Sequence, residues 1–177
     1  LAILNLDAAG AALDKKTGKV VWSSGADESG YSTPVLSDAG GERAVVLAVK
    51  QSVVALRVKD GKELWRYPWK TEYDVNAADP IVSGNKVFIS SGYNKGCALL
   101  QFTGSALKPL WESKKMRHHF NSSVLWQGHL YGFDESTLTC LAFDTGEVKW
   151  RQENLGKGSL MIADGKLVIQ SERGDLV

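Results

Sequence analysis

The side chains best suited to hold a ligand occur in three polar stretches of the chain, residues 28–33, 73–79 and 118–122. They include a tyrosine, acids, amides and a histidine, which make hydrogen-bonded contacts with small molecules or peptides. The candidate ligand- or partner-binding residues are Tyr31, Asp74, Asn76, Asp79, His119 and Asn121. Surface loops of β proteins are always rich in Ser, Asn, Asp and Gly, so a solvated loop without a ligand is the alternative.

Metal and nucleophile chemistry has little support in the sequence. The adjacent His118 and His119 would point to opposite sides of an extended chain, so at most one of them can join a site. No further Cys or His lies nearby at ligand spacing. A Gly-x-Ser-x-Gly elbow, a phosphate-binding loop and a paired-carboxylate arrangement are all absent from the sequence. The sequence therefore predicts no metal site and identifies no catalytic residue.

Two further features suit a protein partner. The basic run at residues 114–118 could contact an acidic partner, although a solvated loop explains it as well. Trp126 lies on a turn and is either an exposed anchor for a partner or packed beneath a loop. The net charge is +1, from 21 basic and 20 acidic residues, so no overall attraction to nucleic acid is expected. No apolar run approaches the roughly 20 residues that span a bilayer.

The loops are positioned by a repeat that ends in tryptophan. The repeat consists of two apolar residues, a turn containing Thr-Gly or Asp-Gly, and a second strand. It occurs at residues 12–22, 55–65 and 140–150, and a degenerate copy occurs at 98–111. In the turn, glycine supplies a positive φ without steric cost, so each copy predicts a β-hairpin. The indole rings are expected to be buried between neighbouring sheets, with each N–H free to find a partner. The predicted docking residues are Trp22, Trp65, Trp111, Trp150, Gly18, Gly61 and Gly146.

The period of the repeat predicts the fold. The tryptophans are separated by 43 residues (22 to 65), 46 (65 to 111) and 39 (111 to 150), and self-similarity at this period indicates a propeller or a solenoid. Each unit reads as four short antiparallel strands, the content of one propeller blade, and no helical period is present. We therefore predict an all-β propeller as a single region over residues 1–177. Complete blades are expected at 31–70, 76–115 and 121–153, and partial blades at 1–24 and 159–177.

Completion of the ring is open at this point. The chain is expected to start at the second strand of one blade and to stop at the beginning of the third strand of another. We favour a fragment of a longer propeller, because unpaired strand edges invite aggregation. The alternatives are a four-bladed ring and a homodimer that closes an eight-bladed ring.

The two cysteines are predicted to be buried thiols. The repeat aligns Cys97 with Val54 and Cys140 with Ala55. Because successive strand residues point to opposite faces, the pair is poorly placed for a disulfide bond.

The Ala-Leu-Asp-x-x-Thr-Gly-x-x-x-Trp string at residues 12–22 resembles the tryptophan-docking repeat of the PQQ-like β-propellers. This family includes quinoprotein alcohol dehydrogenases and the outer-membrane assembly lipoprotein of Gram-negative bacteria. The resemblance implies seven or eight blades in the whole ring and an extracytoplasmic, periplasmic location. The family aspartate is kept only at Asp14, while Arg57 and Ala142 replace it in two other copies.

The family includes enzymes and non-enzymes. Catalytic relatives have a vicinal Cys-Cys disulfide, a calcium-binding set of acids and amides, and an aspartate base, and no Cys-Cys pair occurs here. We therefore expect no cofactor and a non-catalytic binding or assembly scaffold, with its protein or small-molecule contacts at one mouth of the central channel. One alternative is part of a quinoprotein alcohol dehydrogenase whose ligands for PQQ and calcium lie outside this chain. Another is a purely structural domain.

Overall fold

The computed structural model describes residues 1–6, 8–25, 27–38, 41–104 and 106–177. Asp7, at the end of the first predicted strand, and Ala39 and Gly40, in a predicted turn, lie outside the described residues. The described ranges contain no helix, and so none long and apolar enough to cross a membrane. Their strands are β1 Ala2–Leu4, β2 Ala11–Leu13, β3 Val20–Ser23, β4 Val35–Ser37, β5 Ala44–Ala48, β6 Ser52–Arg57, β7 Glu63–Pro68, β8 Ile81–Ser83, β9 Lys86–Ser91, β10 Gly96–Phe102, β11 Leu107–Ser113, β12 Val124–Trp126, β13 His129–Asp134, β14 Thr137–Ala142, β15 Val148–Gln152, β16 Ser159–Ala163 and β17 Lys166–Gln170.

The strands form five antiparallel sheets in chain order, here called blades 1 to 5. Blade 1 is β1-β2-β3, blades 2, 3 and 4 are β4–β7, β8–β11 and β12–β15, and blade 5 is β16-β17. The predicted all-β fold with four-stranded antiparallel blades is confirmed. No strand pairing joins blade 1 to blade 5 within the described residues. The number of blades in the complete ring, and a closing homodimer, therefore stay predictions.

Four apolar clusters lie between successive blades. In β6, Val53 and Ala55 face the cluster shared with blade 3, while Val54 and Leu56 face the cluster shared with blade 1. Since both faces of the strand are covered, β6 reads as a nearly continuous apolar run rather than an alternating one.

Each of the four repeat tryptophans lies next to a β-bulge. In blade 1, Trp22 pairs with Ala12 and Val20 pairs with Leu13, so Val21 is the extra residue. The same irregularity occurs at the tryptophans of blades 2, 3 and 4. A bulge bends its strand and redirects nearby side chains, so the four tryptophans share one local geometry.

The third copy of the repeat is shifted by one residue from the predicted alignment. Trp111 pairs with Leu99 and not with Ala98, because the extra residues lengthen the hairpin ladder instead of enlarging the turn alone. Cys97 therefore occupies the Val53 position and not the Val54 position.

The corrected register puts Cys97 and Cys140 on equivalent faces of their strands, so the predicted opposite-face argument is wrong. The two thiols are nevertheless apart, because each faces the next blade along the chain. Cys97 belongs to the cluster between blades 3 and 4. Cys140 lies on the same face of β14 as Leu138, which packs against blade 5. Both cysteines are buried and free, and burial raises the pKa of the Cys97 thiol to about 11.

Trp22 and Trp111 each pack on the glycine turn of the blade that follows their own. Trp22 is 8% exposed, and its Nε1–H donates to the Val58 carbonyl at 2.9 Å. A Cβ on Gly61 would lie 2.6 Å from the Trp22 ring, so only glycine permits this approach. Trp111 repeats the arrangement, with a 3.0 Å hydrogen bond to the Phe143 carbonyl and its ring over Gly146.

The other predicted docking positions differ from this pattern. Trp65 is 6% exposed but packs in the core between blades 2 and 3. A Cβ on Gly104, in the longer hairpin of blade 3, would meet no atom within 4 Å. Trp150 is 41% exposed, and the described part of blade 5 has no third-to-fourth-strand turn on which its ring could pack, so docking of Trp150 stays a prediction. Gly18 has the expected positive φ of 71°, but a Cβ there would meet no ring.

Candidate functional site

The loops that precede the first strands of blades 2 to 5 lie side by side. They comprise residues 27–34, 69–80, 114–123 and 153–158, here called the mouth loops. Hydrogen bonds tie each loop to the next: Tyr31 N–H donates to the Asn76 carbonyl at 3.0 Å and Thr33 N–H to Asp79 Oδ1 at 2.6 Å.

Hydrogen bonds also connect the mouth loops that precede blades 3, 4 and 5. Asp79 N–H donates to Ser122 Oγ at 2.8 Å, and Asn121 Nδ2 donates to the Gly158 carbonyl. The side chains of Asp79 and Asn121, both predicted ligand contacts, therefore join loop to loop. A further contact of either residue with a ligand stays a prediction.

Asn76 is a structural residue and not an exposed ligand contact, so its predicted role is corrected. It is 1% exposed, and its Nδ2 donates to the carbonyls of Val49 at 2.9 Å, Lys50 at 3.1 Å and Trp69 at 3.2 Å. Its Oδ1 accepts a 2.6 Å hydrogen bond from Ser91, whose hydroxyl also accepts from the Trp69 indole at 2.9 Å. Because these donors and acceptors are already paired inside the protein, the amide has little capacity left for a ligand.

Asp74 has an unusual backbone and a partly unpaired carboxylate. Its φ is +55°, a region that is uncommon for residues other than glycine. Oδ2 accepts a long, 3.4 Å hydrogen bond from Gln51. Oδ1 is buried without a hydrogen-bond partner among the described residues.

An aromatic row crosses the side of the protein that carries the mouth loops. It consists of Tyr73, Tyr93, His119 and Phe120, with successive ring centroids 4.9, 4.8 and 4.0 Å apart. Tyr73 is 63% exposed and Phe120 is 62% exposed. Tyr31, in the preceding mouth loop, is 75% exposed. His119 Nδ1 is also 2.9 Å from Lys157 Nζ.

Sequence reasoning selected Tyr31 and His119 but missed Tyr73, Tyr93 and Phe120 as site residues. Tyr93 lies in the turn between β9 and β10, outside the mouth loops. The available signal was the turn sequence Gly-Tyr-Asn-Lys-Gly at residues 92–96, which places an aromatic residue where glycine and asparagine dominate.

Beside the row is a cavity of about 220 Å³ lined by Trp69, Lys95, Cys97, Glu112, Ser113 and Lys114. Lys95 Nζ lies 4.3 Å from the centroid of the Trp69 ring, a cation–π contact. Lys114 Nζ donates to Asn94 Oδ1 at 3.3 Å. Glu112 accepts a 2.9 Å hydrogen bond from the Tyr67 hydroxyl. Burial and the Glu112 carboxylate raise the pKa of Tyr67 to about 12, so the phenol is protonated at neutral pH.

His118 and His119 have opposite surroundings, as extended backbone predicts. His118 is 3% exposed, and its Nε2 is 2.7 Å from Ser123 Oγ. Burial lowers the pKa of His118 to about 4, so the imidazole is neutral near pH 7. The described residues contain no group of three His, Cys, Asp or Glu side chains that could hold a metal ion.

One residue of the basic run is engaged inside the protein. Asp134 is 4% exposed, and its carboxylate accepts from Arg117 Nε at 2.6 Å and from Arg117 Nη2 at 3.1 Å. This carboxylate raises the pKa of the Arg117 guanidinium above its usual value. Trp126, the other predicted partner anchor, is 38% exposed and is the last residue of β12 rather than a turn residue, away from the mouth loops.

Residues 3–152 match the family described as outer membrane protein assembly factor BamB. No curated protein matches the chain at a significant level. Among solved structures, BamB from Moraxella catarrhalis is 16% identical with a TM-score of 0.65, and the match covers 99% of this chain and 56% of that chain. The present chain thus spans about half the length of this relative.

Two further solved structures show the same fold. The computationally designed Ika4 protein is 14% identical with a TM-score of 0.64, and the match covers 91% of this chain and 97% of that protein. The quinohemoprotein alcohol dehydrogenase from Comamonas testosteroni is 13% identical with a TM-score of 0.61, and the match covers 93% of this chain and 37% of that chain. At these identities the similarity shows the fold alone.

The described residues do not fit a quinone cofactor with its calcium ion. Cys97 and Cys140 belong to different blades and cannot form a vicinal pair. In the described part of the chain, carboxylates are not grouped in the manner of a cation site.

Proposed function

This chain belongs to the family of the outer membrane protein assembly factor BamB, and we propose that it acts as a non-catalytic binding or assembly scaffold. Its contacts with a protein or a small molecule are made by the mouth loops. From the resemblance to that family we also propose a periplasmic or other extracytoplasmic location. Cell fractionation that recovered the protein in the cytoplasm would contradict this part of the proposal.

One observation carries the proposal: the mouth loops are tied together by hydrogen bonds, yet they expose large aromatic side chains. Tyr31, Tyr73 and Phe120 are each more than 60% exposed. Tyrosine and other aromatic residues are enriched in protein interfaces because they bury much area with few rotatable bonds. A surface fixed in advance loses little conformational entropy when a partner binds.

Site-specific photo-crosslinking in the intact protein tests this function. A photoreactive phenylalanine analogue replaces Tyr31, Tyr73 or Phe120 in turn, and the matched control replaces Val20, which is 65% exposed on the outer strand β3 of blade 1. We expect a discrete crosslinked product in cells from the mouth positions and none from Val20. Equal products at all four positions, or no product at any of them, would overturn the assignment to the mouth loops.

The enzymatic alternative has its own test. Purified protein is mixed with PQQ, calcium and a primary alcohol, and reduction of an electron-accepting dye is followed. We expect no reduction that depends on the alcohol, because the described residues do not provide the cofactor set. Sustained alcohol-dependent turnover would refute a non-catalytic scaffold.

A further inference from the structure

The aromatic row and the neighbouring cavity form one continuous surface on the mouth side of blades 2 to 4. Tyr93 and Asn94 are consecutive, and Asn94 accepts the hydrogen bond from Lys114 at the cavity. Lys95, the next residue, lies over Trp69 at the cavity wall. The apolar row and the two ammonium groups of the cavity are therefore connected through a single turn, residues 92–96.

The cavity carries an excess of positive charge. Its lining includes the ammonium groups of Lys95 and Lys114 and one carboxylate, that of Glu112. Glu112 is occupied by the Tyr67 hydroxyl. Neither lysine forms an ion pair with any described residue. The two ammonium groups are held in place by a ring face and an amide oxygen, which leaves N–H donors of both available to an external anion.

The row itself suits an extended peptide better than a nucleic acid. Tyr73 and Tyr93 meet at 72°, and Tyr93 and His119 meet at 74°, so neighbouring rings do not present parallel faces to successive bases. The exposed Glu72 beside Tyr73 places a negative charge at this end of the row, which disfavours a phosphate backbone with a charge at every unit more than a peptide whose carboxylate lies at the Lys95–Lys114 cavity. An extended peptide rises about 3.3 Å per residue, so a segment of a few residues is long enough to lie along the row of rings.

We propose that the aromatic row and the Lys95–Lys114 cavity bind an extended peptide segment that carries an acidic side chain and apolar or aromatic side chains on the same face. The carboxylate enters the cavity between the two lysines, and the apolar side chains lie on Tyr73, Tyr93 and Phe120. This inference rests on the proposed scaffold function and specifies the chemistry of the partner.

Binding of short fluorescein-labelled probes to the intact protein, measured by fluorescence anisotropy, tests the inference. The probes are ten-residue peptides in which every second residue is Ser, so that the residues between them share one face of an extended chain. Those residues alternate Asp with Phe, Lys with Phe, or Asp with Ser in the three peptides, and the fourth probe is a ten-nucleotide oligothymidine. We expect saturable binding of the Asp/Phe peptide. The other three probes each lack the acidic or the apolar side chains, so we expect their binding to be at least about tenfold weaker, a difference of about 1.4 kcal/mol.

Variants locate the binding to this surface. One double variant carries Lys95→Gln and Lys114→Gln, and a second carries Tyr73→Ser and Phe120→Ser. We expect each of them to bind the Asp/Phe peptide about tenfold more weakly than the unmodified protein does. Lys19→Gln with Val20→Ser, a charge and an apolar residue exposed on blade 1, serves as the matched control and should leave binding unchanged. These positions are partly or fully exposed, and circular dichroism checks that each variant is folded.

The outcomes separate this inference from the scaffold function. Equal binding of the Lys/Phe peptide, tighter binding of oligothymidine, or equal loss in the control variant would overturn the acidic-peptide assignment. If none of the probes binds while Tyr73 and Phe120 still give crosslinked products, the partner chemistry is wrong but the scaffold function stands. If the crosslinked products are absent as well, both fail.

Discussion

The indole N–H of Trp22 and the backbone carbonyl of Val58 form a 2.9 Å hydrogen bond between blade 1 and blade 2. The same bond recurs between Trp111 and Phe143, at 3.0 Å, where blade 3 meets blade 4. In both places the indole ring also covers a glycine of the neighbouring turn. Each such contact combines burial of a large apolar surface with satisfaction of the one polar group of the ring. These contacts join successive blades and so help to hold the mouth loops in a fixed order.

The internal role of Asn76 predicts a large loss of stability and no specific loss of binding. Asn76→Ala removes the two amide N–H donors that serve the carbonyls of Val49, Lys50 and Trp69, and it removes the acceptor for Ser91; all but the Lys50 contact are buried. We expect the free energy of unfolding to fall by about 2–3 kcal/mol, because buried polar groups are left unpaired. Urea denaturation measures this change in the free energy of unfolding.

Asn85→Ala, at an exposed turn, is the control and should change stability by less than about 0.5 kcal/mol. Equal effects of the two substitutions would argue against an internal role.

The burial of His118 predicts a dependence of stability on pH. Its folded-state pKa of about 4 lies below the usual value of 6.5, so the unfolded chain binds the proton first as pH falls. The contribution of the neutral His118 imidazole to the free energy of unfolding is therefore fully present above pH 6.5 and is lost as pH drops toward 4. Between pH 7 and pH 5 the loss should be about 2 kcal/mol.

Two measurements check this dependence. NMR titration of the wild-type imidazoles should show no protonation of His118 above pH 5. In urea denaturation, His118→Gln should reduce the difference in stability between pH 7 and pH 5. A His118 resonance that titrates near 6.5, or an unchanged pH difference in the variant, would contradict a buried neutral imidazole.

Much of the fold could be predicted because its signals are local. The glycine turns and the period of the tryptophans identify hairpins, and the hairpins identify blades. The bulge before each tryptophan was not predictable in this way, since it depends on how two strands pair. For this reason the predicted alignment of Trp111 with Ala98 was wrong by one residue: in the longer hairpin of blade 3, Trp111 pairs with Leu99.

The site was predicted less well than the fold. Residue type correctly indicated polar mouth loops, but it did not separate Asn76, which is buried, from Tyr31, which is exposed. That distinction depends on which carbonyls a neighbouring blade leaves unpaired. Tyr93 joins the aromatic row only because the turn of blade 3 approaches the mouth loop before blade 4, where a Cβ on Gly92 would lie 3.1 Å from the His118 carbonyl oxygen. Contacts between distant parts of the chain carry no local sequence signature.

The contact between a tryptophan ring and a glycine turn is tested most directly by comparing Gly61→Ala with Gly18→Ala. The two glycines have nearly the same φ, 72° and 71°, so the backbone strain of an alanine is matched at about 1–2 kcal/mol. A Cβ at Gly61 would also collide with the Trp22 ring, whereas one at Gly18 would meet nothing within 4 Å. We predict that Gly61→Ala lowers the free energy of unfolding by about 1–3 kcal/mol more than Gly18→Ala does. Equal losses in the two variants would contradict docking of Trp22 on blade 2.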